Sequence, residues 1–212
     1  MSALMEGLAR GYQVPDIRPT TEWARENIEL PRSRQFTVTG LFDASISRHL
    51  IEPINDGDDD RCRETNVRAP VRAGKTLIMD IRLASIMKRN PGPTRMIFQD
   101  DSAAKDQAEL RTWPIIEANQ CLRDLLPEDR HKNRAQSIIL PGMPLHISGP
   151  SLNQLQSRGY QNIFADEAWR YKPGTMQEIR GRLGDYVKKG TDKLVVLSQG
   201  GDVGSEWDEQ CQ

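Results

Sequence analysis

Ala69-Pro70-Val71-Arg72-Ala73-Gly74-Lys75-Thr76 is the stretch whose reading decides the fold: it spells a nucleotide phosphate loop, with Ala where the first Gly of G-x-x-x-x-G-K-[ST] usually stands. The match is partial, and its setting strengthens it. The β-branched Thr65-Asn66-Val67 precedes the loop and an amphipathic run from Leu77 to Lys88 follows it. Strand, loop and helix are what a phosphate cradle needs, because triphosphate oxygens must meet backbone N–H groups and a helix N-terminus with no side chain in the way. Gly74 is expected to permit the close approach. Residues 69–76 are then expected to line the phosphates of ATP, with Lys75 reaching the β/γ-phosphates and the Thr76 hydroxyl holding Mg²⁺. Taken alone, Gly-Lys-Thr is as compatible with an ordinary helix-start turn.

A second element breaks that tie. Gln161-Asn162-Ile163-Phe164-Ala165-Asp166-Glu167-Ala168 reads as a short apolar strand ending in two adjacent carboxylates. Asp166 is expected to hold the metal's water shell and Glu167 to act as general base on the attacking water. The bland alternative is an acidic pair favoured at a helix start by the macrodipole. A third piece, Lys193-Leu194-Val195-Val196-Leu197 followed by Ser198-Gln199-Gly200-Gly201, reads as a buried strand and a polar turn. Ser198 or Gln199 is the candidate γ-phosphate sensor, and plain turn chemistry explains either one equally well.

Strand and helix patterns alternate through the rest of the chain. Thr21–Asn27 reads as a short helix capped by Thr20 or Thr21, and Ser45 to Ile54 as a helix with Ile46, Leu50 and Ile54 on one face. Asn55-Asp56-Gly57-Asp58-Asp59-Asp60 reads as a solvated acidic turn, lacking the spaced ligands of a calcium loop. After the break at Asn90-Pro91-Gly92-Pro93, a strand is predicted from Arg95 to Phe98, then a helix from Asp100 to Arg111 with Ala103, Ala104, Gln107 and Leu110 near helical spacing. A hairpin-like strand is predicted at Leu145–Ser148 and a polar loop over Ser151–Gly159. The fold class predicted is α/β: a P-loop NTPase with a mainly parallel central sheet flanked by helices and an N-terminal helical segment. Residues 1–60 are assigned to that segment, packing on the motor, and 61–212 to the P-loop domain.

Composition bounds the function. The chain has 212 residues, 37% of them hydrophobic, enough for one sizeable core. With 29 Lys and Arg against 30 Asp and Glu, any nucleic-acid contact must come from local patches. Two are candidates: Arg130, His131, Lys132 and Arg134, and the set Arg180, Arg182, Lys188 and Lys189, though a solvated surface explains each residue as well. Cys62, Cys121 and Cys211 are too few and scattered for a zinc cage or disulfide framework, which suits the cytoplasm. No run suggests a membrane span. Trp23 and Phe42 are read as core anchors in preference to adenine-stacking groups. His49 and His146 have no metal spacing and stay unassigned.

The chain resembles the large subunits of tailed-phage terminases, especially the lambda-like branch. The resemblance rests on Glu22-Trp23-Ala24 with Leu30-Pro31, the arginine-containing deviant loop at 69–76, Ser151 through Arg158-Gly159, and Ala165-Asp166-Glu167-Ala168, and it runs in order through nearly the whole chain. It implies an ATP-driven motor that packages double-stranded DNA, assembled as a ring at the portal protein of an empty capsid. A terminase small subunit would choose the DNA, and the site of action would be the host cytoplasm. Such proteins often carry a loop arginine nearer the loop's start, so Arg72 is the favoured catalytic arginine here and Arg68 the other candidate; a further arginine supplied by a neighbouring subunit would make turnover depend on oligomerisation. Terminases continue into a nuclease domain. The ending at Glu206–Gln212, which reads as a helix start with no C-cap, predicts a fragment without nuclease activity. A helicase-like nucleic-acid-stimulated ATPase and a non-hydrolysing nucleotide-binding remnant are the alternatives.

Overall fold

The computed structural model describes residues 16–33, 35–151, 158–201 and 207–208. Most of the 151–159 loop, Cys211 and most of the terminal heptapeptide lie outside these.

Among the described residues, two short strands, β1 (Glu29–Leu30) and β2 (Gly40–Leu41), pair antiparallel, and seven further strands form one sheet in the order β3-β9-β8-β4-β7-β6-β5. These are β3 (Glu64–Arg68), β4 (Thr94–Ile97), β5 (Asn133–Arg134), β6 (Ser137–Leu140), β7 (Met143–Ser148), β8 (Asn162–Asp166) and β9 (Lys193–Ser198). β3, β9, β8, β4 and β7 run parallel, and β6 and β5 continue antiparallel at one side. The sheet is mainly parallel, as the alternating pattern predicts. β9 carries the continuous apolar run Leu194–Leu197 and β4 is buried along its whole length, because both faces of the sheet are covered.

One face packs against α3 (Lys75–Arg89), which buries Ile78, Met79, Ile81, Leu83, Ala84 and Met87 together with Met96, Phe164, Val195 and Leu197 of the strands. The same core takes in α1 (Thr20–Asn27), whose Trp23 and Ala24 are buried, and Phe42 beyond it. Trp23 and Phe42 are thus core anchors, as expected. A second core on the opposite face joins Ile97, Ile163, Ala165, Leu194 and Val196 to Met176 and Ile179 of α7 (Thr175–Gly181). Between these cores the strand ends are held in register, which positions the site.

Several local expectations are corrected. Neither Thr20 nor Thr21 caps α1; its N-cap position is Pro19, and the orphan N–H groups are satisfied from outside the helix. Asp58 Oδ2 accepts from the Thr20 N–H at 2.6 Å and Asn55 Oδ1 from the Thr21 N–H at 3.0 Å. The acidic 55–60 turn is therefore a capping device for α1, where carboxylates near a positive helix end are stabilising. The helix predicted over 45–54 is a 3₁₀ turn, Ala44–Leu50, followed by α2 (Ile51–Asn55). Non-helical Ser47 breaks the periodicity, so Leu50 and Ile54 are buried while Ile46 is 62% exposed.

The helix predicted from Asp100 to Arg111 runs further. α4 (Asp101–Gln107), capped by Asp100, passes through a π-turn at Ala108–Thr112 into α5 (Trp113–Ala118) and then α6 (Gln120–Arg123). The wider turn shifts the helical phase. Ala104 and Gln107 stay inside, Leu110 is exposed, and Arg111 swings inward onto Asp80 of α3.

Candidate nucleotide site

Because β3, β8 and β9 are parallel neighbours, Arg68, Asp166 and Ser198 all end at one edge of the sheet, where open α/β sheets bind ligands. β9 lies between the other two. The Ala69 N–H donates to the Ser198 carbonyl at 3.0 Å, so pairing continues one residue past β3 before the chain leaves the sheet. Residues 69–74 then turn into α3, whose N-cap is Gly74 at φ +87°. The left-handed backbone calls for glycine, and an added Cβ at Gly74 would also stand 2.9 Å from Leu50 Cδ1, whose side chain would have to shift.

Lys75, Thr76, Asp166 and Glu167 all line one cleft of about 380 Å³, along with residues 71–74. Lys75 Nζ donates to the carbonyls of Ala69 (2.9 Å) and Pro70 (3.1 Å) and lies 4.0 Å from Glu167 Oε1. The lysine and the acidic pair, far apart in sequence, thus meet across one opening. Burial raises the Asp166 carboxyl to about 7, Glu167 pushes the same way, and Lys75 pulls down. Glu167 itself sits in the left-handed region at φ +52°. A non-glycine residue there carries local strain.

The two loop arginines are separated by the fold. Arg72, also left-handed at φ +66°, is exposed and lines the cleft. Arg68 is drawn aside to Asp208 at 3.0 Å and does not line the cleft. The two sensor candidates separate as well. Gln199 lines a neighbouring hollow with Asp166, Glu167, Gln99 and Arg170, whereas Ser198 is fully buried beneath it, its Oγ accepting from the Trp169 N–H at 3.1 Å.

Sequence reasoning missed several groups at this cleft. His49 Nε2 is 2.8 Å from the Ala73 carbonyl, tying the 3₁₀ turn to the loop. Leu30, Phe36, Val38 and Leu50 form its apolar side. Arg111, delivered by the π-turn, lies with its guanidinium 4.3 Å from the Phe36 ring and donates to the Gln35 carbonyl. Nothing in a single sequence marks these contacts.

Of the basic sets, Arg180 pairs with Glu64 and Arg182 with Glu178, while Lys188 and Lys189 are exposed. His131, Lys132 and Arg134 are exposed around β5, at the sheet's far side from the cleft. His146 binds Arg158 and Tyr160. No helix among the described residues is long and apolar enough to cross a membrane.

A phosphate loop at the end of one strand, an acidic pair at the end of another and a third strand between them define a P-loop NTPase fold. Residues 37–182, more than half of the chain, match the family described as phage terminase large subunit gpA, ATPase domain, and the chain belongs to that family. Its fold is similar to the crystal structure of the HK97 bacteriophage large terminase, at 11% identity and a TM-score of 0.65, covering 87% of this chain and 38% of that one. It is also similar to the large terminase ATPase domain of Thermus phage P74-26, at 15% identity and a TM-score of 0.50, covering 70% of this chain and 62% of that one. At such identities the likeness is one of fold. No curated protein matches the chain in sequence.

Proposed function

We propose that the chain hydrolyses ATP as the motor part of a terminase large subunit, driving double-stranded DNA into a procapsid. One observation carries this reading: Lys75, Thr76, Asp166 and Glu167 converge on a single cleft at the carboxyl edge of a parallel sheet. The donor set suits the ligand. Thr76 and Asp166 offer the hard oxygens that Mg²⁺ prefers, and the backbone of residues 69–74 with the start of α3 offers N–H groups to phosphate. The apolar side formed by Phe36, Val38 and Leu50 suits a purine ring.

In this reading Lys75 exchanges the Ala69 and Pro70 carbonyls for β/γ-phosphate oxygens. Bound magnesium would neutralise charge on those same oxygens. Glu167 accepts the proton of the attacking water and holds that water in line. Arg72, free of any ion pair among the described residues, is the arginine best placed to meet developing negative charge. Gln199, in the adjoining hollow, is the better sensor candidate, with Ser198 acting from below.

The family's work implies further partners: a terminase small subunit, the portal protein, and other copies of this chain in a ring, within the host cytoplasm. The test is turnover of ATP by the wild type and by Glu167→Gln, with and without duplex DNA. Magnesium-dependent turnover that is lost in the variant while nucleotide still binds supports the motor. Equal turnover in both proteins refutes the assignment of the base, and a protein that binds nucleotide without ever hydrolysing it is a remnant.

A further inference from the structure

The hydrolysis just proposed needs the Glu167 carboxylate to present one oxygen to water in a fixed direction, and the residues after β8 show how that is done. Glu167 opens a 3₁₀ turn, Ala168–Arg170, from a left-handed backbone. Such a conformation persists only where the surroundings over-determine it. Here the turn is held at three points. The Trp169 N–H donates to Ser198 Oγ at 3.1 Å, Arg170 Nη1 donates to Gln99 Oε1 at 2.5 Å, and the Tyr171 hydroxyl donates to the Ile97 carbonyl at 3.0 Å. The turn is thus tied to the ends of both β9 and β4.

Within that frame the Trp169 side chain folds back. Its indole Nε1–H donates to Glu167 Oε2 at 2.7 Å, while the other oxygen, Oε1, faces Lys75 Nζ at 4.0 Å. The Arg170 guanidinium lies 4.9 Å from the Trp169 ring and covers it. An indole N–H is a donor only, with no lone pair to accept a proton. It can therefore hold a carboxylate oxygen but cannot relay its proton.

We infer that Trp169 is a positioning residue for Glu167: its indole pins Oε2 so that Oε1 alone is turned to the cleft, and its main chain, anchored on Ser198, makes that aim depend on the end of β9. The inference rests on the functional reading above. A shift of β9 at Ser198 would move the turn, and with it the base, without any contact between Ser198 and phosphate. This gives the buried serine a role that its position beneath the cleft otherwise denies it.

Trp169→Phe keeps a smaller ring for Arg170 to cover and removes the N–H. The expected result is a fall in kcat of about 10- to 100-fold, the scale of a misaimed catalytic group, with KM for ATP, calorimetric affinity for magnesium-ADP and thermal midpoint unchanged. Ser198→Ala should lower kcat in the same direction by less. Residual turnover of Glu167→Gln should not fall further when Trp169→Phe is added, because the indole acts through the carboxylate. Wild-type kcat in Trp169→Phe overturns the inference, as does a parallel loss of affinity and thermal midpoint. If Trp169→Phe does not fold, Ser198→Ala decides: unchanged kcat overturns the coupling to β9. Full turnover by Glu167→Gln would instead refute the assignment of Glu167 as base, on which the inference rests, which separates the two failures.

Discussion

Arg111 closes on the Asp80 carboxylate with both Nε, at 3.0 Å, and Nη2, joining the π-turn to the helix that begins at the phosphate loop. Asp80 is buried, and Gln107 Nε2 donates to its other oxygen at 2.9 Å. The same guanidinium stacks on Phe36 at the cleft. One arginine thereby braces the nucleotide helix and the segment that covers the cleft.

Removing that arginine strands a buried charge. Arg111→Met is expected to cost about 3–5 kcal/mol at neutral pH, the usual loss when one partner of a buried pair is deleted. Burial already pushes the Asp80 carboxyl upward against the pull of Arg111. Without Arg111 the folded-state value rises further above the unfolded one, so the folded protein binds the extra proton and stability should fall as pH rises through that window. Urea unfolding of the variant at acidic and neutral pH measures it; a cost that does not shrink at acidic pH contradicts the account.

At the loop, Gly74→Ala meets the φ of +87° first, and its Cβ, 2.9 Å from Leu50 Cδ1, also displaces the Leu50 side chain. A left-handed alanine alone costs about 1–2 kcal/mol. Reduced stability with loss of measurable nucleotide binding is expected, and calorimetry with magnesium-ADP checks the second part.

The two loop arginines should differ. Arg72→Ala is expected to lower kcat by about 10³-fold, as for other arginines that meet transferring phosphoryl groups. Arg68→Ala, which breaks the contact with Asp208, should leave kcat within a few-fold of wild type. The opposite ranking in a steady-state assay would reassign the role.

His146 makes a pH prediction. Burial first, then Arg158 and Arg95, hold its pKa down at about 4, below the usual 6.5. The unfolded chain therefore binds more protons than the folded one between those values. The contribution is fully present above 6.5 and is lost as pH falls toward 4. Thermal midpoints across that range should decline, and His146→Gln should flatten the decline.

Asp58 gives a last one. It accepts from the Thr20 N–H and pairs with Arg89 at 3.4 Å. Asp58→Ala should cost about 1–2 kcal/mol, as for loss of an N-cap, and should loosen α1 first. Faster amide exchange confined to residues 20–27 would show this.

Much of the candidate site is legible in the sequence. Gly-Lys-Thr after a β-branched strand and Asp-Glu after an apolar one are local patterns, and both stand at strand ends as read. Buried parallel strands carry apolar runs, so Ile163–Ala165 of β8, Leu194–Leu197 of β9 and the Met96–Ile97 end of β4 announced themselves. Ile46 and Leu110 misled because helical periodicity assumes an unbroken α-helix, and a non-helical Ser47 and a π-turn each reset the phase.

By itself the amino-acid order determined the chemistry at hand: a lysine, a hydroxyl and two carboxylates of the kind that handle magnesium and phosphate, carried on strand–loop–helix units. Only the tertiary structure decided which groups meet. It chose Arg72 over Arg68 for the cleft, brought Asp58 to cap a helix 38 residues away, and set Trp169 against Glu167. The physical reason is that hydrogen bonds and ion pairs between distant residues depend on strand order and helix phase, and neither is written in any local run of sequence.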